Sequence, residues 1–367
     1  MKILVLAPPM EATGGIQRYI QTIVHSLREI NGDRNVQLLA VPAEPEELPD
    51  GSAALRTTVK GKFLLSSLTT AIRWRPELVI CAHVGVAPVG RLIQRITRAP
   101  FWVILYGIDV WGELTARKVD ALRHAQRLLS ISRFTFRVAA DRHSLDKSRA
   151  AFLAPALSFD SSQENTAPTS TADRPIVLTV GRLAAAERYK GHDAMLAAWP
   201  KVLQQVPDSH YVVVGDGDDL PRLASRAKEL GLGDSVQFRG ALNSEDLRTC
   251  YETCRVFAMP ARTEFDSRSP RGEGFGIVFL EAMAHGKPVV GPNTGAPAEF
   301  IRSGEHGLLV DPLNADELAQ ALIYLLQNPN LAHQMGRAAH DWVQEQFSYS
   351  MFCARLREIL KEATSNP

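Results

Sequence analysis

The amino-acid sequence predicts an α/β protein of two doubly wound, Rossmann-like parallel-sheet domains facing across a cleft. Three observations predict it. The chain has 367 residues, more than one hydrophobic core usually organises. Short apolar runs alternate with helical patterns through both halves, as strands covered by helices on two faces do. Between the halves, SFDSSQENTAPTSTADRP is rich in Ser, Thr, Asp and Pro with almost nothing to bury, the mark of a linker.

In the first half, strands are expected at 3–7 (ILVLA), 36–41 (VQLLAV), 77–83 (ELVICAH), 101–107 (FWVILYG) and 127–132 (RLLSIS). In the second they are expected at 175–181 (PIVLTVG), 210–217 (HYVVVGDG), 236–240 (VQFRG), 255–261 (RVFAMPA), 287–291 (KPVVG) and 307–310 (GLLV). The expected boundaries are 1–157 for an N-terminal domain, 158–174 for the linker, 175–348 for a C-terminal domain and 349–367 for a terminal helical segment. No period of about 20 to 50 residues repeats, which excludes solenoids and propellers.

The formal net charge is +1, but residues 1–155 hold 21 Lys+Arg against 13 Asp+Glu while the remainder is acidic. The most one-sided stretch runs from Gly51 to Arg75. It has no acid, and Phe63, Leu64, Leu65, Leu68, Ile72 and Trp74 stand among its cations. Such a segment suits an anionic membrane surface and equally a solvated basic helix packed by its apolar side. Four cysteines without a CxxC pair argue against a disulfide scaffold or a cysteine zinc site. The opening MKILVLA is too short for a signal-peptide core and no run approaches the roughly 18 residues of a spanning helix, so the expectation is a cytoplasmic protein. Any membrane contact would be peripheral, at the inner face.

In open α/β sheets ligands sit beyond the carboxyl ends of the strands, so the residues that follow each strand matter most. After the first comes PPMEATGGIQRY, where Gly14 and Gly15 precede a helix whose bare amides suit a phosphate. After IVLTV come Gly181 and Arg182, then Lys190 and Gly191; a guanidinium fork and an ammonium converging there suit a diphosphate. VVVGDGDD places Gly215 in a tight turn with Asp216, Asp218 and Asp219, read as helix caps or, less readily, as ligands of a divalent metal. In GEGFGIVFLEAMAHGKPVVG a helix is expected over 277–284. Amides of Phe275, Gly276 and Ile277 would cradle a phosphate, and Glu273 and Glu281 are suited to grip hydroxyls. The bland reading makes Glu273 a turn residue and Glu281 an exposed helix position.

Together GGIQRY, VGRL with the KG at 190–191, VVVGDG, FRGAL and EGFGIVFLEAMAHGKPVVG, with its E-x7-E spacing, resemble the family-4 retaining glycosyltransferases over nearly the whole chain. The resemblance implies the GT-B architecture. It further implies that Arg182 and Lys190 hold the donor diphosphate, that Glu281 binds the ribose, Glu273 the transferred sugar, and that Leu242 lines the base pocket. The terminal helix would cross back to the first domain, and neither metal nor other cofactor is needed. Many relatives carry a histidine where WVILYGIDVW has Tyr106; Tyr106 or Asp109 would take its place, and His83 is a second sugar-side or acceptor-side candidate. The long loop before EGFG, with Arg262, Arg268 and Arg271, is expected to close over donor or acceptor.

The expected reaction moves a hexose from a nucleotide diphosphate sugar, UDP-glucose or another UDP-sugar first and GDP-mannose second. The acceptor would be a saccharide or a polyprenyl-diphosphate-linked saccharide. A non-catalytic nucleotide-sugar sensor is the rival reading. A dinucleotide oxidoreductase lacks its G-x-G-x-x-G, and no nucleic-acid-binding module is recognisable.

Overall fold

The computed structural model describes residues 1–11, 14–42, 52–157, 174–265 and 270–365. Residues 158–173 of the expected linker, 158–174, and Arg268 lie outside them. The chain divides into two compact units, Met1–Ala156 with Ser350–Pro367, and Leu157–Tyr349.

In the first unit β1 (Ile3–Ala7), α1 (Gly15–Asn31), β2 (Val36–Ala40), α2 (Ser52–Trp74), β3 (Leu78–Cys81), α3 (Ala87–Thr97) and β4 (Phe101–Leu105) alternate in the expected order. A one-turn α4 (Ile108–Trp111), α5 (Ala116–His124), β5 (Arg127–Ser130), α6 (Arg133–His143) and β6 (Ala150–Phe152) follow. The sheet is parallel throughout, in the order β2-β1-β3-β4-β5-β6. β1, β3 and β4 are buried along their whole length, which explains why they read as unbroken apolar runs. β6 is a strand the sequence reading did not find, since Ala-Ala-Phe has neither the length nor the branched side chains that signal one.

The second unit runs β7 (Ile176–Val180), α7 (His192–Gln205), β8 (His210–Val214), α8 (Leu220–Glu229), β9 (Val236–Phe238), α9 (Ser244–Thr253) and β10 (Val256–Ala258). It continues through α10 (Ile277–Ala284), β11 (Val289–Pro292), β12 (Gly307–Val310), α11 (Ala315–Gln327) and α12 (Pro329–Phe347). Its six parallel strands stand in the order β12-β11-β10-β7-β8-β9. Helix 277–284 has the bounds its sequence predicts. The core of this unit centres on Trp199 and Tyr211, their ring centroids 5.5 Å apart, with Val177, Val256, Leu322 and Leu325. Each fully buried aliphatic side chain contributes about 1.5–3 kcal/mol.

The last helix, α13 (Tyr349–Ser365), belongs to the first unit from its second residue onward. Phe352 meets Tyr19 of α1 edge-on at 5.9 Å, and the Cys353 thiol lies 3.4 Å from the Ser26 hydroxyl. Among the described residues no helix is long and apolar enough to cross a membrane.

Candidate active site

Each sheet reverses its winding once, between β1 and β3 in the first unit and between β7 and β10 in the second. Such a switch point opens a crevice at the carboxyl ends of the strands, where ligands bind.

In the second unit Gly181 and Arg182 leave β7, and the long loop leaving β10 carries Glu273. The two loops meet. Lys190 comes off a 3-10 turn, Ala185–Lys190, and its stem runs along Gly181, so that a Cβ there would stand 3.4 Å from Nζ. Glu273 is half-buried as a residue. Burial of its carboxyl pushes its pKa up; Lys190 and the Phe275 and Gly276 backbone amides pull it down, and Glu187 adds to the rise. Two of the three amides expected to face a phosphate thus lie close enough to this carboxyl to favour its charged form. The next helix, α10, follows Gly276, which has φ +92° and gives the helix N-terminus no side-chain cap.

Beneath lies the GDG turn. Gly215 has φ +137°, and a Cβ on it would fall 1.9 Å from the Gly181 carbonyl oxygen, so only glycine lets this turn close on the end of β7. The Gly215 amide donates to the Gly240 carbonyl at 2.8 Å, which ties the loop carrying half-buried Leu242 to the same turn. Asp219 occupies the first position before α8 without capping it, a correction to the expected cap. It accepts instead from Arg188 (2.7 Å) and Arg222 (2.6 Å), and the latter pulls its carboxyl down to about 2. Arg222 in turn grips both oxygens of Asp193 at 2.8 Å. Among the described residues no group of three or more His, Cys, Asp or Glu is placed to hold a metal ion.

Glu281 lies one turn into α10. The Tyr251 hydroxyl of α9 donates to its Oε2 at 2.9 Å, and the Tyr251 ring stacks on His285, centroids 5.1 Å apart. Tyr251 is buried, so the carboxylate is held by an element that begins more than thirty residues upstream. Sequence reasoning missed it, along with Glu187 and with Tyr189, whose buried phenol is pushed up by Glu273 and Glu187 after burial itself. At the neck of the long loop Glu264 and Arg271 exchange backbone hydrogen bonds at 2.8 and 2.9 Å. Arg262 holds Glu264 at 2.6 Å.

In the first unit Gly14 and Gly15 open α1 without a side-chain cap, and a Cβ on Gly15 would meet nothing within 4 Å, so no packing demands a glycine there. His83 follows β3. Its Nδ1 accepts from the Gly85 amide at 3.0 Å, which leaves the proton of the neutral ring on Nε2, 3.8 Å from Asp109 Oδ2. Burial and Lys118 hold this imidazole down to about 4. Asp109 accepts from the Tyr106 and Gly107 amides through Oδ1, while its buried Oδ2 has no hydrogen bond; burial pushes the carboxyl up to about 7. Tyr106 requires a correction. Its ring is buried between Tyr19 and His83, and its hydroxyl donates to the Ala82 carbonyl at 3.1 Å, so it faces the core and offers no donor to a sugar.

Residues 161–342 match the family model of the glycosyl transferases group 1. Through this segment the chain belongs to that family. The second unit is thus a group 1 glycosyl transferase domain, and Arg182, Lys190, Glu273 and Glu281 all lie in it.

Over 189 residues the chain is 35% identical to the GDP-mannose-dependent alpha-(1-6)-phosphatidylinositol monomannoside mannosyltransferase of Mycobacterium tuberculosis, covering 52% of this chain and 48% of that protein. Over 190 residues it is 30% identical to the alpha-D-kanosaminyltransferase of Streptomyces kanamyceticus, covering 52% and 46%. The chain spans about half the length of the curated relatives it matches. Among solved structures, Anabaena Alr3699/HepE in complex with UDP superposes with a TM-score of 0.76 at 20% identity, over 99% of this chain and 100% of that one. The sucrose-phosphate synthase of Thermosynechococcus elongatus gives 0.77 at 20%, over the whole of both. These likenesses show the fold, which is GT-B.

Proposed function

We propose that the protein is a retaining glycosyltransferase that moves a hexose from a nucleotide diphosphate sugar to a saccharide or lipid-linked saccharide. The observation that carries this is the convergence of Arg182, Lys190 and Glu273 at the β7/β10 switch point of the group 1 domain. Departure of a nucleoside diphosphate builds negative charge on phosphate oxygens and positive character on the sugar. Two cations brought to the end of β7 would meet the phosphates and lower that barrier, and no step calls on a metal. Glu281, steadied by Tyr251, binds the ribose. Glu273 holds hydroxyls of the sugar being moved, and Leu242 flanks the base.

Of the donors, GDP-mannose takes first place and UDP-glucose second, the reverse of the order expected from sequence. A relative named for GDP-mannose is 35% identical over 189 residues, 52% of this chain, whereas the UDP-bound neighbour, at 20% identity, supports only the fold. A thermal-shift screen of GDP-mannose, UDP-glucose and ADP-glucose tests this, since a ligand bound only by the folded state raises its melting temperature. A rise with GDP-mannose is expected; no rise with any of the three sinks the reading.

For the acceptor side, α2 supplies the supporting surface. Leu65 and Ile72, seven residues apart on one helix face, are 68% and 54% exposed, and Lys60, Lys62, Arg73 and Arg75 are exposed with them. Apolar side chains ringed by cations suit an anionic bilayer and so a lipid-linked acceptor at the inner membrane face. Co-sedimentation with phosphatidylglycerol vesicles is expected to fall when the four cations are neutralised. Unchanged binding would remove the membrane from the proposal.

A further inference from the structure

Glu187 belongs to no motif singled out in the sequence, yet the two cations read as diphosphate ligands converge on it. It lies in the 3-10 turn Ala185–Lys190, where the backbone departs from helical values (φ −117°, ψ 24°). One carboxylate oxygen, Oε1, pairs with the Arg182 guanidinium; the other, Oε2, lies 3.2 Å from Lys190 Nζ. The two pairs differ in kind. The Glu187 and Lys190 side chains are 13% and 14% exposed, so their attraction is little screened by solvent. Arg182 is 76% exposed, and its half of the bridge is easily exchanged.

A carboxylate with one cation on each oxygen presents those cations as an edge of a phosphate would meet them. The Glu273 carboxyl also lies within the field of the Lys190 ammonium, which pulls it down. With Glu187 gone, Lys190 would lose its fixed place beside Arg182 and be free to swing toward Glu273.

We propose that Glu187 is a positioning residue that gathers Arg182 and Lys190 on a single carboxylate, setting them for a diphosphate and keeping Lys190 off Glu273. This rests on the reading of Arg182 and Lys190 as diphosphate ligands. The arriving diphosphate exchanges the exposed Arg182 contact and leaves the half-buried Lys190 pair standing.

The test uses the full chain carrying Glu187→Gln, alone and with Lys190→Ala, titrated calorimetrically with GDP and with UDP. In parallel, acylation of Lys190 without nucleotide is followed by mass spectrometry. Glu187→Gln is expected to weaken nucleoside diphosphate binding about tenfold, and by less than about twofold once Lys190 is alanine. Lys190 is expected to label several-fold faster in the Gln variant. Unchanged or tighter binding by folded Glu187→Gln, or an equal loss in both backgrounds, overturns the proposal. If the unaltered protein binds neither nucleotide, it is the donor-site reading that fails; labelling then decides the positioning role, and an unchanged rate overturns it. Should the Gln variant not fold, Glu187→Asp, which keeps the charge on a shorter stem, takes its place with the same expectations at smaller size.

Discussion

The two units share one topology around their switch points and arm them in opposite ways. At β7/β10 the crevice is lined by full charges that answer one another, Arg182 and Lys190 on Glu187, with Glu273 close by. At β1/β3 and the end of β4 the groups are held uncharged or nearly so: His83 is kept neutral, and Asp109 is pushed into the neutral range. The lesson is that the sheet supplies only an address. What is put there decides whether the crevice suits a polyanion that leaves with its charge or hydroxyls that need oriented donors and acceptors.

The largest expected effect breaks the charged side of this contrast. Arg182→Ala or Lys190→Ala should lower turnover about a hundredfold or more, as loss of a preorganised charge-stabilising group does, measured as kcat at saturating donor. His83→Ala should instead act mainly through the acceptor KM; a loss of donor binding there would erase the distinction between the units. Next comes the frame beneath the charges. Gly215→Ala puts a Cβ 1.9 Å from the Gly181 carbonyl, and about 3 kcal/mol or more of stability should be lost in urea denaturation.

Asp109 sharpens the neutral side. Its folded pKa of about 7 stands above the ordinary 3.8, so its contribution to stability is full below 3.8 and disappears as pH rises through about 7. His83 works in the opposite sense below 6.5, where its depressed pKa makes acid destabilising, so the window from 6.5 to about pH 8 isolates the carboxyl. Across that window the unaltered protein should lose about 1 kcal/mol relative to Asp109→Asn, read from paired melting curves. The smallest effect is Tyr251→Phe. Removing one hydrogen bond to Glu281 should raise the donor KM about fivefold while kcat stays within about twofold.

Much of this was legible in the chain. Continuous apolar runs announced the parallel strands, and Ile277–Ala284 was readable as a helix because glycines bracket an apolar stretch. Arg182, Lys190 and Glu273 were visible because they follow strands. Glu187 was hidden in AAAERYK, where one acid among alanines says nothing about the two cations it will hold. Tyr251 was equally silent, since its partner Glu281 stands thirty positions later and meets it only through the packing of α9 beside α10. Tyr106 misled because it stands where many relatives carry a histidine, and only the fold reveals that its hydroxyl turns inward to Ala82.

The return of α13 to the first unit has a consequence for how the molecule comes into being. The second unit is one uninterrupted stretch, closed at its own base by the Leu157 amide on the Phe347 carbonyl at 2.9 Å. The first unit includes α13, whose Phe352 meets Tyr19, and α13 is encoded after the whole of the second unit. The later-encoded unit is therefore the earlier one whose residues are all made, and the first unit receives the helix that packs on Tyr19 only afterwards.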